Sequence, residues 1–464
     1  MNGSLNEQQV KYVLYHLNLH FRVSADIREH IQLISAYSHQ QIKPGSIVFK
    51  LSSEPFSIEN VITARKLPVL FPVGESSELF KWENGSLVFQ HDLLKSAFFL
   101  LSGYQETLPS GRDHFNRFRY EGSIQHQLGI EDVPLVNYYF KFIGEGIGEF
   151  CDRRRIPFNQ NRLFDTFGFL LTHDVDVVDT YTFHDLVYRV KKVLGLAPSS
   201  NSKIKSFRFL LKYLGNYLKF FNRPNPHWDF EYLVGSAKKY GFKSVFYFLH
   251  KELKHQDSYY RFGDKRLRNL FAYLRREECE IGLHGSIRSA DHFAILKYHL
   301  QLLEQYSKGL VFGIRQHRLI YKHPGTSRLH AACGFSYDAS LGFAEHEGFR
   351  NSFCMPFKLY DFEKEEMMDV WEIPLVVMDA TLYQYRKMNP LSSLESVEKL
   401  VGECEKFNGI FTLLWHNGNF DDENYPGARE LFENILRYMY SKQCQSVTGH
   451  SCIEQHLLPI FEED

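Results

Sequence analysis

The feature that most constrains this chain is an alternation that begins at Gly168. Short, nearly unbroken apolar runs recur, separated by stretches of helical periodicity. The runs are "FGFLLTHDVD" (Phe167 to Asp176), "KSVFYFL" (Lys243 to Leu249), "CEIGLHGS" (Cys279 to Ser286), "LVFGIRQHRL" (Leu310 to Leu319), "WEIPLVVMDA" (Trp371 to Ala380) and "IFTLLWHN" (Ile410 to Asn417). A strand that faced water on one side would alternate apolar and polar residues. Continuous apolar runs imply strands covered on both faces, as in a parallel sheet flanked by helices or a β/α barrel. Four runs end in chemically capable residues: Asp174 and Asp176, His284, Arg315 and His317, and His416. In β/α barrels the carboxyl ends of the strands meet at one mouth, so four such endings predict one shared site.

The first ~150 residues read differently. "SIVFKL" (Ser46 to Leu51) and "SLVF" (Ser86 to Phe89) predict strands. Asp92 predicts an N-cap for a helix over 92–104, and a second helix is expected over 133–150. The polar stretch from Cys151 to Gly168, broken by Pro157, reads as a linker. The expected architecture is a smaller α/β domain over 1–155 and a barrel over 165–464, the 464 residues being too many for one ordinary domain. The net charge of −1 gives no footprint of a nucleic-acid binder. No apolar stretch reaches the ~18 residues of a membrane span. The start lacks the basic, apolar and small-residue zones of a signal peptide. Seven scattered cysteines without a Cys-x-x-Cys argue for a reducing compartment. A cytoplasmic protein is expected.

In a strand Asp174 and Asp176 would share one face, opposite His173. Two adjacent carboxylates repel, so one is protonated or a cation neutralises the pair. A metal on one would leave the other free as a base. The alternative is a helix cap and an arginine pair. His284 could complete an Asp/His metal site, Arg315 could hold Asp174 ionised, and His416 could serve as a general acid.

These motifs, in this order, make residues 169–420 resemble the polysaccharide deacetylases of the NodB-homology type, carbohydrate esterase family 4. "LTHDVD" is similar to the family's first motif, "GLHGSIRS" stands at the second, "RQHRLIY" resembles the third and "LLWHNGNF" the last. "GFSYDASLGF" (Gly334 to Phe343) is similar to the segment before the fourth. The resemblance implies a distorted (β/α)7 barrel that removes acetyl groups from carbohydrate with a divalent metal such as zinc. It implies Asp174 as base, Asp176 and His284 as metal ligands, Arg315 orienting Asp174, and His416 as acid. The family's second motif has two histidines four residues apart. Here Arg288 stands at that offset from His284, so His317, Ser286 or water would fill the gap. Trp415 and Asn417, with Trp371, are candidates for sugar contact, against core packing for the tryptophans.

One segment stands apart. From about 184 to 226 nine Lys or Arg interleave with Phe, Tyr and Leu, and Asp185 is the sole acid. This basic insertion could lie on an anionic membrane through 203–223, on the inner surface, and suit an enzyme of lipid-linked glycans. A solvated helix packed on the barrel is the plainer expectation. Two other functions compete with deacetylation. One is a glycosyltransferase whose Asp-x-Asp holds a nucleotide-sugar metal. The other is a degenerate barrel that binds glycan without turnover.

Overall fold

A computed structural model describes residues 3–37, 40–109, 111–179, 183–197, 202–218, 225, 227–252, 257–421 and 424–462. The N-terminal part holds β1 (Ile31–Ser35), β2 (Ile47–Leu51), a small hairpin of β3 (Ile62–Ala64) and β4 (Leu67–Val69), β5 (Phe80–Glu83) and β6 (Ser86–Phe89). The sheet order is β1-β2-β6-β5, parallel except for β5. Asp92 caps the helix Leu93–Leu101, its carboxylate accepting from Lys95 N–H at 2.8 Å. The helix Leu135–Arg154 runs four residues into the expected linker. The rest of that stretch is packed too. Leu163 and Phe164 are buried, and Asn408 Oδ1 accepts from both of their N–H groups.

The second part contains β7 (Gly168–Val175), β8 (Ser244–Leu249), β9 (Glu280–Gly285), β10 (Gly313–Gln316), β11 (Tyr337–Asp338), β12 (Phe357–Asp361), β13 (Glu366–Glu372), β14 (Val377–Met378), β15 (Ile410–Leu414) and β16 (Gln445–Ser446). The sheet order is β12-β13-β11-β10-β9-β8-β7-β15-β14, with β16 beside the start of β7. All neighbours are parallel except the β12–β13 pair. The sheet must curl. Flat, it would hold β13 and β14 about 33 Å apart at ~4.8 Å per strand. The chain from Glu372 to Val377 reaches at most about 17 Å. The connection therefore draws the two sides of the sheet together, and the result is a distorted β/α barrel left open between the β12–β13 pair and β14. The apolar run Trp371 to Ala380 is thus two strands on opposite sides of the sheet rather than one. Outer helices cover the sheet through regular stripes. In Lys265–Arg276 the buried residues are Leu267, Leu270, Phe271 and Leu274, one helical face.

The two parts share one continuous apolar core and a polar seam. Arg350 makes a two-pronged pair with Glu106, both contacts at 2.8 Å and both side chains buried. His16 Nδ1 donates to the Tyr12 carbonyl at 2.8 Å, and its Nε2 accepts from Lys358 N–H at 2.9 Å. Burial pushes His16 down to about 3, which keeps it neutral and able to bridge. Gly348, at φ +123°, passes so close to Glu131 that an added Cβ would lie 2.2 Å from its carbonyl oxygen.

Candidate active site

The carboxyl ends of β7, β9, β10 and β15 meet at a cavity of about 290 Å³. Its lining includes Asp174, Asp176, His284, His317, His416 and Asn417. Strand alternation sets the first of these. Thr172 and Asp174 lie two apart on β7 and face inward, where Arg315 Nη1 donates to Thr172 Oγ1 at 2.8 Å and to Asp174 Oδ1 at 3.1 Å. His173 faces the other way, packs against Phe246 and is held by the Trp415 carbonyl at 2.9 Å. The strand ends at Val175, and Asp176 follows at the rim with 32% of its side chain exposed.

Arg315 lies beneath the cavity, fully buried. Its Nε donates to the Ala339 carbonyl at 2.7 Å, and its guanidinium stands 4.7 Å from the Tyr247 ring centre. A buried guanidinium without a counter-charge is costly, and Asp174, 3.1 Å away, supplies that counter-charge to Arg315. Gly282 makes room for this stack, since a Cβ there would lie 2.5 Å from the Tyr247 ring.

Asp176, His284 and His317 form a cluster whose ligand atoms all lie within 4.8 Å of one another. His284 Nδ1 lies 2.8 Å from the Arg315 carbonyl, which can only accept. His317 Nδ1 lies 2.7 Å from an Asp257 carboxylate oxygen. Both Nδ1 atoms therefore carry the hydrogen in a neutral ring, and both Nε2 lone pairs are free to bind. They stand 3.3 Å and 3.8 Å from Asp176 Oδ1. That oxygen is buried and accepts no hydrogen bond among the described residues. Burial works against the Asp176 charge, but His317, His284 and His416 together hold its carboxyl well below the usual range. Burial likewise opposes a charged His284, and the Asp174 and Asp176 carboxylates override it and raise its pKa. The cluster as a whole attracts a cation. One carboxylate and two imidazoles with fixed outer hydrogen bonds and an orphaned acceptor between them fit a divalent ion such as zinc. Arg288, at the offset of the family's second histidine, instead stands 3.6 Å from Glu252.

His416 closes the opposite side. Its Nδ1 is 2.6 Å from Asp379 Oδ1, and its Nε2 is 3.9 Å from Asp176 Oδ2. Burial disfavours the imidazolium, but Asp379, then Asp176 and Asp174, raise His416 to about 10. It is a protonated donor at neutral pH. Asp379 also accepts from His416 N–H at 2.8 Å and from Asn419 at 2.9 Å, which fixes the ring.

Two sequence expectations are corrected here. Trp415 is fully buried, stacked on Phe420 and tilted against Phe432, so it is core and offers no face to a sugar. Trp371, at 4% exposure, is core as well. Asn417 reaches the cavity, but both amide hydrogens are spent on the carbonyls of Val177 at 2.8 Å and His227 at 2.7 Å. It fixes the loop and presents no free donor. Sequence reasoning missed Asp379 and Asp257, although Asp379 ends an apolar run just as Asp174 and His284 do. It also missed Phe115 and Arg117, which reach the cavity from the N-terminal part. Arg117 donates to the Arg318 carbonyl at 2.7 Å and is paired with Asp113. It buttresses a turn where Arg318 and Leu319 both hold positive φ, 58° and 53°.

Residues 4–151 match a family model described as a family of unknown function, DUF7033. No curated protein matches the chain. Solved structures similar to it include a candidate polysaccharide deacetylase from Mycobacterium smegmatis. That match has 15% identity and a TM-score of 0.41, and it covers 63% of this chain and 91% of the other. The Puue allantoinase matches at 11% identity and a TM-score of 0.40, over 63% and 91%. A family 4 carbohydrate esterase from Streptomyces lividans, in complex with acetate, matches at 9% identity and a TM-score of 0.30, over 61% and 92%.

Proposed function

We propose that this protein is a metal-dependent hydrolase that removes an acetyl group from a carbohydrate. The observation that carries this reading is the Asp176, His284 and His317 cluster, with two imidazole lone pairs and an orphaned carboxylate oxygen converging between a paired base and a protonated acid. Asp176, His284 and His317 would hold the ion. When bound, it polarises the acetyl carbonyl and makes water more acidic. Asp174, paired with and oriented by Arg315, accepts the proton of the attacking water. His416 gives its Nε2 proton to the departing amine or alcohol, and Asp379 keeps the ring aimed. Both carboxylates and the acid face one cavity, so one substrate can meet all three.

The substrate in this reading is an acetylated glycan, free or lipid-linked, and the exposed basic residues Lys205, Arg208 and Lys212 support a membrane-bound source. The seven free cysteines fit a reducing, cytoplasmic setting. No described helix is long and apolar enough to cross a membrane. The test is acetate release from acetylated oligosaccharides together with metal content. Wild type is expected to bind one divalent ion and release acetate. His416→Ala should lower turnover by about 10²–10⁴-fold with the ion retained. Metal binding without acetate release from any acetylated sugar would leave a glycan-binding barrel. Tight binding of a nucleotide sugar would move the site to glycosyl transfer.

A further inference from the structure

Between β7 and β8 two helices, Phe183–Leu194 and Lys203–Tyr217, pack against each other. The second has three distinct faces. At about 100° per residue, Ser206, Leu210 and Tyr213 share one face, and all three are buried. Ile204, Phe207, Leu211 and Leu218 fall within an arc of about 60° on another face. They are 71%, 49%, 52% and 69% exposed. Lys205, Arg208 and Lys212 take the third face and are exposed. A helix at a protein surface has one apolar stripe, turned to the core. This one has a second stripe turned away. The first helix and the turn after it add Tyr188, Leu194 and Leu196, 42%, 61% and 73% exposed.

Charge identifies what covers the stripe. From Leu186 to Asn225 the sequence has nine Lys or Arg and no Asp or Glu. Apolar side chains flanked by cations alone complement a layer that is apolar inside and anionic at its surface. The position of the hairpin supplies the second argument. Tyr188, Arg189 and Lys192 line a groove of about 960 Å³ that His227, Asn419 and Tyr425 line as well. Those same three residues line the cavity that holds Asp176 and His416. Lys192 donates to Asn424 at 2.9 Å, tying the hairpin to the loop after β15. The groove thus runs from the hairpin to the site. Residues 219–223 of the expected membrane segment lie outside the described residues.

We infer that the hairpin seats on an anionic lipid bilayer, with Ile204, Phe207, Leu211 and Leu218 in the headgroup–acyl boundary, and that the groove admits a glycan still attached to its lipid. The docking stands on the hairpin alone, and the nature of the glycan rests on the deacetylase reading. The experiment is co-sedimentation with vesicles of phosphatidylcholine, with and without about one-third phosphatidylglycerol, at roughly 0.1 M salt. Binding is expected to be at least about tenfold stronger on the anionic vesicles and to weaken at roughly 0.5 M salt. Two variants, Phe207→Ser with Leu211→Ser and Lys205→Glu with Arg208→Glu, should each lose about tenfold. Both should release acetate from a free acetylated oligosaccharide at the wild-type rate. On an N-acetylglucosamine glycolipid held in the anionic vesicles, both should be slower by about the same tenfold. No binding to anionic vesicles at low salt overturns the docking. So does a dimer, seen in sedimentation equilibrium without lipid, that the Phe207 and Leu211 changes dissociate. Equal rates on the embedded glycolipid overturn the groove. A wild type that binds vesicles but releases no acetate from either substrate leaves the docking intact and removes the deacetylase reading.

Discussion

The barrel mouth and the helix pair of Phe183–Leu194 and Lys203–Tyr217 depart from ordinary protein surface in opposite directions. At the mouth, charged groups are buried: Arg315 is fully enclosed, Asp174 and Asp379 nearly so, and each has a partner. On the hairpin, apolar groups are bare: Ile204, Leu211 and Leu218 are all more than half exposed. Both arrangements cost free energy in the isolated chain, the first through desolvation of charge and the second through apolar surface left in water. The mouth offsets much of its cost internally, through the Arg315–Asp174 and His416–Asp379 pairs. Among the described residues nothing covers the outer stripe of the helix pair, and the cover proposed for it is a bilayer. A functional site and a docking surface can therefore be told apart by where the matching group lies.

The sharpest way to break this comparison is to remove one internal match. Read from the sequence, Asp174→Asn is expected to lower turnover severely and leave the fold intact. The structure revises the second half. Among the described residues Asp174 is the carboxylate within ion-pair reach of Arg315, at 3.1 Å, and that guanidinium is fully buried. Removing one partner of a buried pair costs about 3–5 kcal/mol. Asparagine can still accept the hydrogen bond, which puts the expected loss at the lower end. Thermal or urea unfolding of Asp174→Asn against wild type measures it. Equal stability would mean that the pair is held by function alone.

A smaller effect tests whether the second layer of matching serves the ion. Asp257 meets the cluster through His317 Nδ1 and also accepts from Ile287 N–H at 3.2 Å. Asp257→Asn should weaken zinc binding by about 10–100-fold, through a loosened ring and a less basic imidazole. The competing expectation, that Asp257 is structural, predicts loss of stability with zinc affinity unchanged. Titration with a zinc-responsive dye, beside unfolding of the metal-free protein, separates the two.

The same contrast explains what was legible in the sequence. Asp174, Asp176, His284, Arg315 and His416 were legible because each ends an apolar run, and run endings converge in a parallel barrel. Asp379 obeys the same rule and was still missed. Its run, Trp371 to Ala380, reads as one strand, whereas the chain leaves β13 at Glu372 and crosses the opening before β14. Trp415 could have been placed by alternation alone. His416 faces the mouth, so its neighbour faces the helices. Asp257 lies in a loop with no periodicity to read. Arg117 meets Arg318 from 201 residues away, and no local pattern reports such a contact. The curl of the sheet, which brings all these groups together, follows from the short link between β13 and β14, and strand pairing is invisible in a single sequence.

The smallest expected effect uses two neighbours on the hairpin. Leu210 is 9% exposed and faces the packed side, and Leu211 is 52% exposed and belongs to the outer stripe. Leu210→Ala should destabilise by about 2–3 kcal/mol, near the low end for a buried leucine because the site lies close to the surface. Leu211→Ser should change stability by no more than about 0.5 kcal/mol, since it removes no internal contact worth more. Unfolding curves of the two variants in the absence of lipid decide this. If Leu211→Ser were as costly as Leu210→Ala, the outer stripe would be matched within the chain after all, and the difference between mouth and hairpin would disappear. If it is neutral in solution yet weakens vesicle binding, the missing match is the bilayer.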